Sequence, residues 1–344
     1  MSRKLLSYTA LGLILGNAAI ADVPKVAVDI APVHSLVSRV MEGVGSPKLI
    51  IPAGASPHEY SLRPSEAKSL QDADMVIWMG EDLAPWMENS IEKLAKNAEV
   101  ITLLEASETK LLDFREGALF EEHDHGDHDD HDDHDDHDKD HDDHDDHDDH
   151  DDHDKDHDDH DDHDDHDDHA GHDHGEHDPH AWLSIENAQT WLNLVAGKLS
   201  AADPENAGVY FGNAAAARSE IEELSKEVNS ILDPVRGRSF VVFHDAYQYF
   251  ETSFDFPASG AISLGDATDP SASRIAEIQG RVREEGINCV LSEPQYNPNL
   301  VETVLEGTDA KTGVIDPLGV NLEPGPKLYG DLIRNMAKSL AGCL

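Results

Sequence analysis

"DPENAGVYFGNAAAARSEIEELSKEVNSILDP", residues 203–234, is the stretch on which the fold turns. Asp203 followed by Pro204 marks a helix start, a capping side chain ahead of the residue whose missing N–H is harmless in the first turn. Asp233 and Pro234 mark its end. Between them Tyr210, Ala214, Ala217, Ile221, Leu224, Val228 and Ile231 recur every three or four residues, which sets them on one helix face. About 28 residues at 1.5 Å each predict a rod of roughly 42 Å. A rod of that length can join two lobes as a stiff strut, or it can be the long helix of a single lobe.

The flanks favour the strut. Upstream lie short apolar runs that read as strands, "KVAVDI" (25–30), "KLIIPA" (48–53), "MVIWMG" (75–80) and "VITLLE" (100–105). Helical spacing fills some of the gaps, as at Val33 to Met41 and Pro64 to Leu70. The rhythm returns downstream in "SFVVFH", "NCVLSEP" and "TGVID", separated by helical stretches at 269–285 and 298–306. Strand and helix in alternation predict parallel sheets covered by helices. The expectation is an α/β protein of two lobes, residues 22–202 and 234–344, bridged by one long helix over 203–233.

One segment does not fit a globular chain. Residues 121–178 hold 33 Asp or Glu against two Lys, a net charge of −31, together with 19 of the 23 histidines. The whole chain carries −47, so the rest carries −16. Clustered Lys and Arg are absent, which argues against nucleic acid as a partner. So dense a like-charged run buries no core and is expected to stay solvated and disordered. The amino terminus, "MSRKLLSYTALGLILGNAAIA", has a basic start, an apolar stretch from Leu5 to Leu15 and small residues at Ala19 and Ala21. It reads as a signal peptide over 1–21, with the mature chain starting near Asp22 in an exported compartment. Only two cysteines occur, Cys289 and Cys343. In an oxidising compartment such a pair reads as a disulfide, here tying the final helix to a strand.

Outside the run only His34, His58, His180 and His244 remain. His58 sits in "PAGASPHEYSLRPSE", His180 in "DPHAWLS" and His244 in "VVFHDAYQYF", each in a loop or at a strand end, where α/β lobes gather ligands. Imidazole nitrogen suits zinc, and three protein ligands with a carboxylate or water complete a tetrahedron. Spacing alone does not bring three such distant residues together. His34, in "APVHSLVSRV", reads as a helix-terminus residue with a packing or hydrogen-bonding role.

The motifs "PHEYSLRPSE", "DPHAWLS", "FHDAYQYF", "SEPQYNP" and "IDPLG", in that order and with the long helix, resemble the metal-binding subunits of bacterial zinc and manganese ABC importers. The resemblance covers nearly the whole mature chain except the charged run. It implies two lobes holding one metal ion in the cleft between them, with His58, His180 and His244 as ligands. Manganese-type members typically carry Glu at the position of His244, so the resemblance is to the zinc branch, the ZnuA type. For the fourth ligand it leaves Glu59, Asp316 and water open, and Asp316 can equally cap the turn ahead of Pro317. It also implies a Cys289–Cys343 disulfide in the second lobe, a periplasmic monomer, and a membrane permease with a cytoplasmic ATPase as partners.

In the charged run, histidines such as His123, His125, His128, His131, His172, His174 and His177 form an expected auxiliary zinc-binding loop of several weak sites, for capture, buffering or sensing. Two readings compete with transport. Three histidines with an open position are also the layout of a catalytic zinc enzyme, in which Glu59 would act as base. A histidine-rich metal store would place its main sites in the run.

Overall fold

The computed structural model describes residues 23–115, 120, 177–263 and 270–344. The described residues fall in one compact unit of the chain. The signal-peptide segment and His123, His125, His128, His131, His172 and His174 lie outside the described residues.

The first sheet has four parallel strands in the order β2-β1-β3-β4: β1 (Val26–Val28), β2 (Lys48–Leu49), β3 (Met75–Trp78) and β4 (Glu99–Thr102). β1 and β3 are buried at every position. Such unbroken apolar runs are what a parallel strand covered on both faces requires. Helices α1 (Ala31–Val40), α2 (Pro64–Gln71) and α3 (Pro85–Leu94) connect the strands, and each has proline in its first turn. There the ring costs no hydrogen bond and presets φ.

From 177 the chain enters a 3-10 turn (Ala181–Leu183) and then α4 (Ile185–Ala202), capped by Ser184 Oγ accepting from Asn187 N. The bridging helix follows as α5 (Ala207–Leu232), with 3-10 turns at Pro204–Asn206 and Asp233–Val235. Its 26 residues span about 39 Å. The buried stripe is the expected one up to Val228, but its last member is Leu232, with Ile231 only half-buried.

The second sheet repeats the topology, all parallel, in the order β6-β5-β7-β8: β5 (Phe240–His244), β6 (Ala261–Ser263), β7 (Cys289–Ser292) and β8 (Lys311–Val314). Around it lie α6 (Gln248–Phe254), α7 (Ala272–Glu284), α8 (Pro298–Leu305) and α9 (Leu328–Cys343). α9 packs against α5 and α1, and Tyr329 N donates to Ser35 Oγ at 2.9 Å, so the last helix helps to join the lobes. A disulfide links Cys289 in β7 to Cys343 at the end of α9, with Cα atoms 5.8 Å apart. Gly313 of β8 makes room for it, since a Cβ there would stand 3.2 Å from Cys343 Cβ.

One hydrophobic core runs from both faces of the first sheet through α4, α5 and α9 to one face of the second sheet, where Phe240 and Val242 belong to it. Val241 and Phe243 point the other way, into a smaller cluster with Ile278, Val282, Val301 and Val304 from α7 and α8. Alternation along β5 therefore sorts its side chains between two cores. No helix among the described residues is long and apolar enough to cross a membrane.

Candidate metal centre

The C-terminal ends of the strands meet between the lobes, where parallel α/β sheets place their loops. β5 ends at His244, which is buried at 3 % exposure. His58 is half-buried in the loop after β2. That loop is held from both sides: Trp86 Nε1 donates to Pro57 O at 2.8 Å, and Tyr60 Oη donates to Glu66 at 2.9 Å. Glu66 also accepts from Arg63 N at 2.7 Å, which fixes the entry into α2. His180, 1 % exposed, immediately precedes the 3-10 turn, and Trp182 Nε1 in that turn donates to Pro317 O across the lobes at 2.8 Å.

The three imidazoles converge. Ring centroids are 5.6 Å apart for His58 and His180 and 5.3 Å for His180 and His244. One nitrogen from each lies within 4.8 Å of the others, the arrangement of a set able to hold a metal ion. Nitrogens bound at 2.0–2.1 Å to one tetrahedral ion stand about 3.4 Å apart, so an ion needs only a small inward shift of the rings. The walls are Pro57, Trp182, Tyr296, Pro317 and Leu318, leaving about 10 Å³ for a water-sized occupant. So small a space, faced by three imidazoles, suits an ion rather than an organic ligand.

Two carboxylates that the sequence reading missed orient the rings. Asp178 Oδ1 lies 2.7 Å from His180 Nδ1 and accepts from His180 N at 2.9 Å. Glu293 Oε1 lies 2.7 Å from His244 Nδ1 and also accepts from His244 N at 3.3 Å. A carboxylate only accepts, so each Nδ1 holds its hydrogen there and each Nε2 presents its lone pair to the cleft. Asp178 was visible as the acid two residues before His180. Glu293 needed strand register: Phe240 pairs with Cys289, and continuing the parallel pairing four residues sets Glu293 beside His244. Burial, reinforced by the charges of Glu293 and Asp316, pushes the nearby Tyr247 hydroxyl well above its ordinary pKa, keeping it neutral.

The other candidates are not members of this three-imidazole set. Glu59 is exposed. Asp316 Oδ1 accepts from Leu318 N at 3.0 Å and Gly319 N at 2.9 Å, and Oδ2 accepts from Val320 N at 2.6 Å. It caps a turn in which Gly319 takes the left-handed φ of 75°. His34 is buried inside the first turn of α1, its ring 3.3 Å from Pro47 O and 3.4 Å from Ser38 Oγ, and burial lowers its pKa. His177 Nδ1 lies 3.0 Å from Asp113 Oδ1, where the two residues form an antiparallel bridge.

A sequence profile described as "Zinc-uptake complex component A periplasmic" (ZnuA) matches residues 26–343. The chain is 46 % identical over 342 residues to the high-affinity zinc uptake system protein ZnuA of Paracoccus denitrificans, covering 98 % of each chain. It is 45 % identical over 329 residues to the protein of the same name from Brucella abortus, covering 96 % of this chain and 94 % of that one. Among solved structures, one described as ZnuA superposes with a TM-score of 0.69 at 18 % identity, covering 94 % of this chain and 99 % of that chain. FpvC from Pseudomonas aeruginosa in complex with Mn2+ gives 0.67 at 18 % identity, covering 93 % and 97 %. The fold is thus shared by zinc- and manganese-named proteins, and the fold alone does not choose the metal.

Proposed function

The chain belongs to the ZnuA family of zinc-uptake components, and from that premise we propose that it captures Zn2+ in the periplasm and delivers it to an ABC permease driven by a cytoplasmic ATPase. The observation that carries the reading is the meeting of His58, His180 and His244 at the ends of two lobes, one nitrogen from each within 4.8 Å of the others. Three nitrogen donors favour zinc over manganese, which suits oxygen ligands. Zinc is the cargo, and the chain performs no catalysis on it.

His180 and His244 supply preset Nε2 lone pairs, because Asp178 and Glu293 fix their tautomers. His58, on a loop and less buried, closes the set when the ion arrives. Water takes the fourth position in this reading. In support, the oxygens of Asp316 are occupied by three backbone N–H groups and Glu59 is exposed. α5 and the continuous core restrict loading to small tilts and loop shifts, so release calls for the permease to pull the imidazoles apart.

The signal peptide over 1–21, a monomeric state, lobes bounded at 22–202 and 234–344, and weak zinc capture by the histidines of 121–178 complete the proposal. The test is zinc uptake from metal-depleted medium by cells lacking the gene for this chain. Wild type restores uptake and His180→Ala does not. Equal restoration by both contradicts the proposal.

A further inference from the structure

The segment leading from β4 towards the charged run ends in a buried ionic cluster that the metal chemistry above does not use. Arg115 stands six residues before Glu121 in the sequence. Its guanidinium reaches the second lobe. Nε donates to both oxygens of Asp245, at 3.1 and 3.0 Å, and Nη2 joins the same carboxylate. Nη1 and Nη2 donate to Glu251 at 2.7 and 3.0 Å. The side chains of Asp245 and Glu251 are only 4 % and 5 % exposed, and that of Arg115 16 %. The Phe120 ring covers the guanidinium, with its centroid 3.5 Å from Cζ. Planar, forked and fully charged, arginine can hold two carboxylates at once, which lysine does only as a point charge.

The position of the cluster gives it a consequence. Asp245 directly follows His244, so the clamp fixes the turn by which the chain leaves β5. A few residues earlier the same segment supports the other buried ligand. Leu112 N donates to Tyr249 Oη at 2.9 Å, Tyr249 Oη donates to Asp178 O at 2.9 Å, and Asp178 N donates to Leu112 O at 2.8 Å. Asp178 in turn holds Nδ1 of His180. Residues 112–115 thus touch the supports of one imidazole from each lobe.

We propose that Arg115 is a positioning residue for metal capture: by clamping Asp245 and Glu251 it fixes His244 relative to His180 and so sets how slowly the cleft releases zinc. The proposal rests on the cleft being the metal site. A purely structural ion pair would leave coordination geometry and release rate unchanged once the chain is folded.

The test uses the full mature chain with one equivalent of cobalt, whose visible spectrum reports coordination geometry, and chelator-driven release of zinc followed by stopped flow. Arg115→Gln is expected to release zinc about tenfold faster, the lower end of what losing support around a metal ligand does, and to shift the cobalt bands. Arg115→Lys restores part of both. Because Arg115→Gln leaves two buried carboxylates facing each other, the double variant Arg115→Gln/Glu251→Gln, which keeps the net charge of the cluster, is measured beside it together with thermal unfolding of the metal-free chain. The double variant is expected to unfold near the wild-type temperature and still to release zinc faster with a shifted spectrum. A wild-type release rate and spectrum in the double variant overturn the proposal. A cobalt spectrum left unchanged by His180→Ala overturns the metal-site reading, and the proposal with it. A spectrum sensitive to His180→Ala but not to the double variant overturns the proposal alone.

Discussion

The two sheets share a strand order but use the end of their first strand in opposite ways. In the second lobe β5 ends in His244, whose ring turns to the cleft and is steadied by Glu293. In the first lobe β1 is followed by Asp29, fully buried, whose carboxylate turns inward and accepts from Ile30 N and Met79 N at 2.7 Å each. One strand end offers a candidate ligand and the other is a stitch between β1 and β3. The cores differ too. The first sheet has both faces in the large core, whereas the second lends one face to it and covers the other with a separate cluster under α7 and α8. The candidate metal set lies mainly against the shared core, and the outer layer of the second lobe reaches it through Tyr296, which stacks on Phe243 and lines the cleft.

The largest expected effect breaks the ligand end. His244→Ala removes one of three nitrogens and is expected to abolish tight zinc binding in a competition assay with a chromophoric chelator, whereas a ligand role elsewhere would leave affinity intact. Next is the disulfide that ties α9 to the second sheet. Its cysteines are 54 residues apart, and Cys289→Ser/Cys343→Ser is expected to cost about 4 kcal/mol in urea unfolding. Ile278→Ala opens a cavity in the outer cluster and should cost about 3 kcal/mol while leaving zinc affinity unchanged. Val242→Ala, on the face that also carries His244, should weaken zinc binding as well, and equal behaviour of the two variants would erase the distinction between the cores.

A smaller effect comes from the carboxylate behind the ligand. Glu293→Gln keeps the shape but no longer enforces the tautomer, and zinc affinity is expected to fall about 10- to 100-fold. The last concerns the stitch, and acts on stability rather than on zinc. Burial, against the pull of its two backbone donors, pushes the Asp29 carboxyl up to about 7. The folded chain thus keeps a proton that the unfolded chain gives up near pH 4. The resulting stability is fully present below about pH 4 and is lost as pH rises through 7. Asp29→Asn should flatten that slope in urea titrations of the metal-free protein between pH 5 and 8.

Much of the fold was legible because the strong signals were long. The stripe from Tyr210 to Val228 located the bridging helix, although its α-helical part starts at Ala207, after a 3-10 turn at Pro204–Asn206 rather than directly at Asp203, and unbroken apolar runs located most strands. β6 was not read: three residues, Ala261–Ser263, are too few to show a period. α3, α4 and α6 were passed over as well: α6 has only 7 residues, too few to show a period, whereas the buried stripe of α4 at Ala188, Trp191, Leu192, Val195, Ala196 and Leu199 recurs at helical spacing and was legible. The three histidines were legible only through resemblance, since their convergence depends on how the lobes meet. Glu293 stayed hidden for a simpler reason, that a partner across two parallel strands 49 residues apart appears only once register is known.

The most direct measurement is a calorimetric zinc titration of the mature chain lacking residues 121–176, beside the same chain carrying His180→Ala. The cleft predicts one tight zinc per molecule in the first and none in the second. Tight binding that survives His180→Ala, or that has already vanished with the charged run, would contradict a three-imidazole transport site.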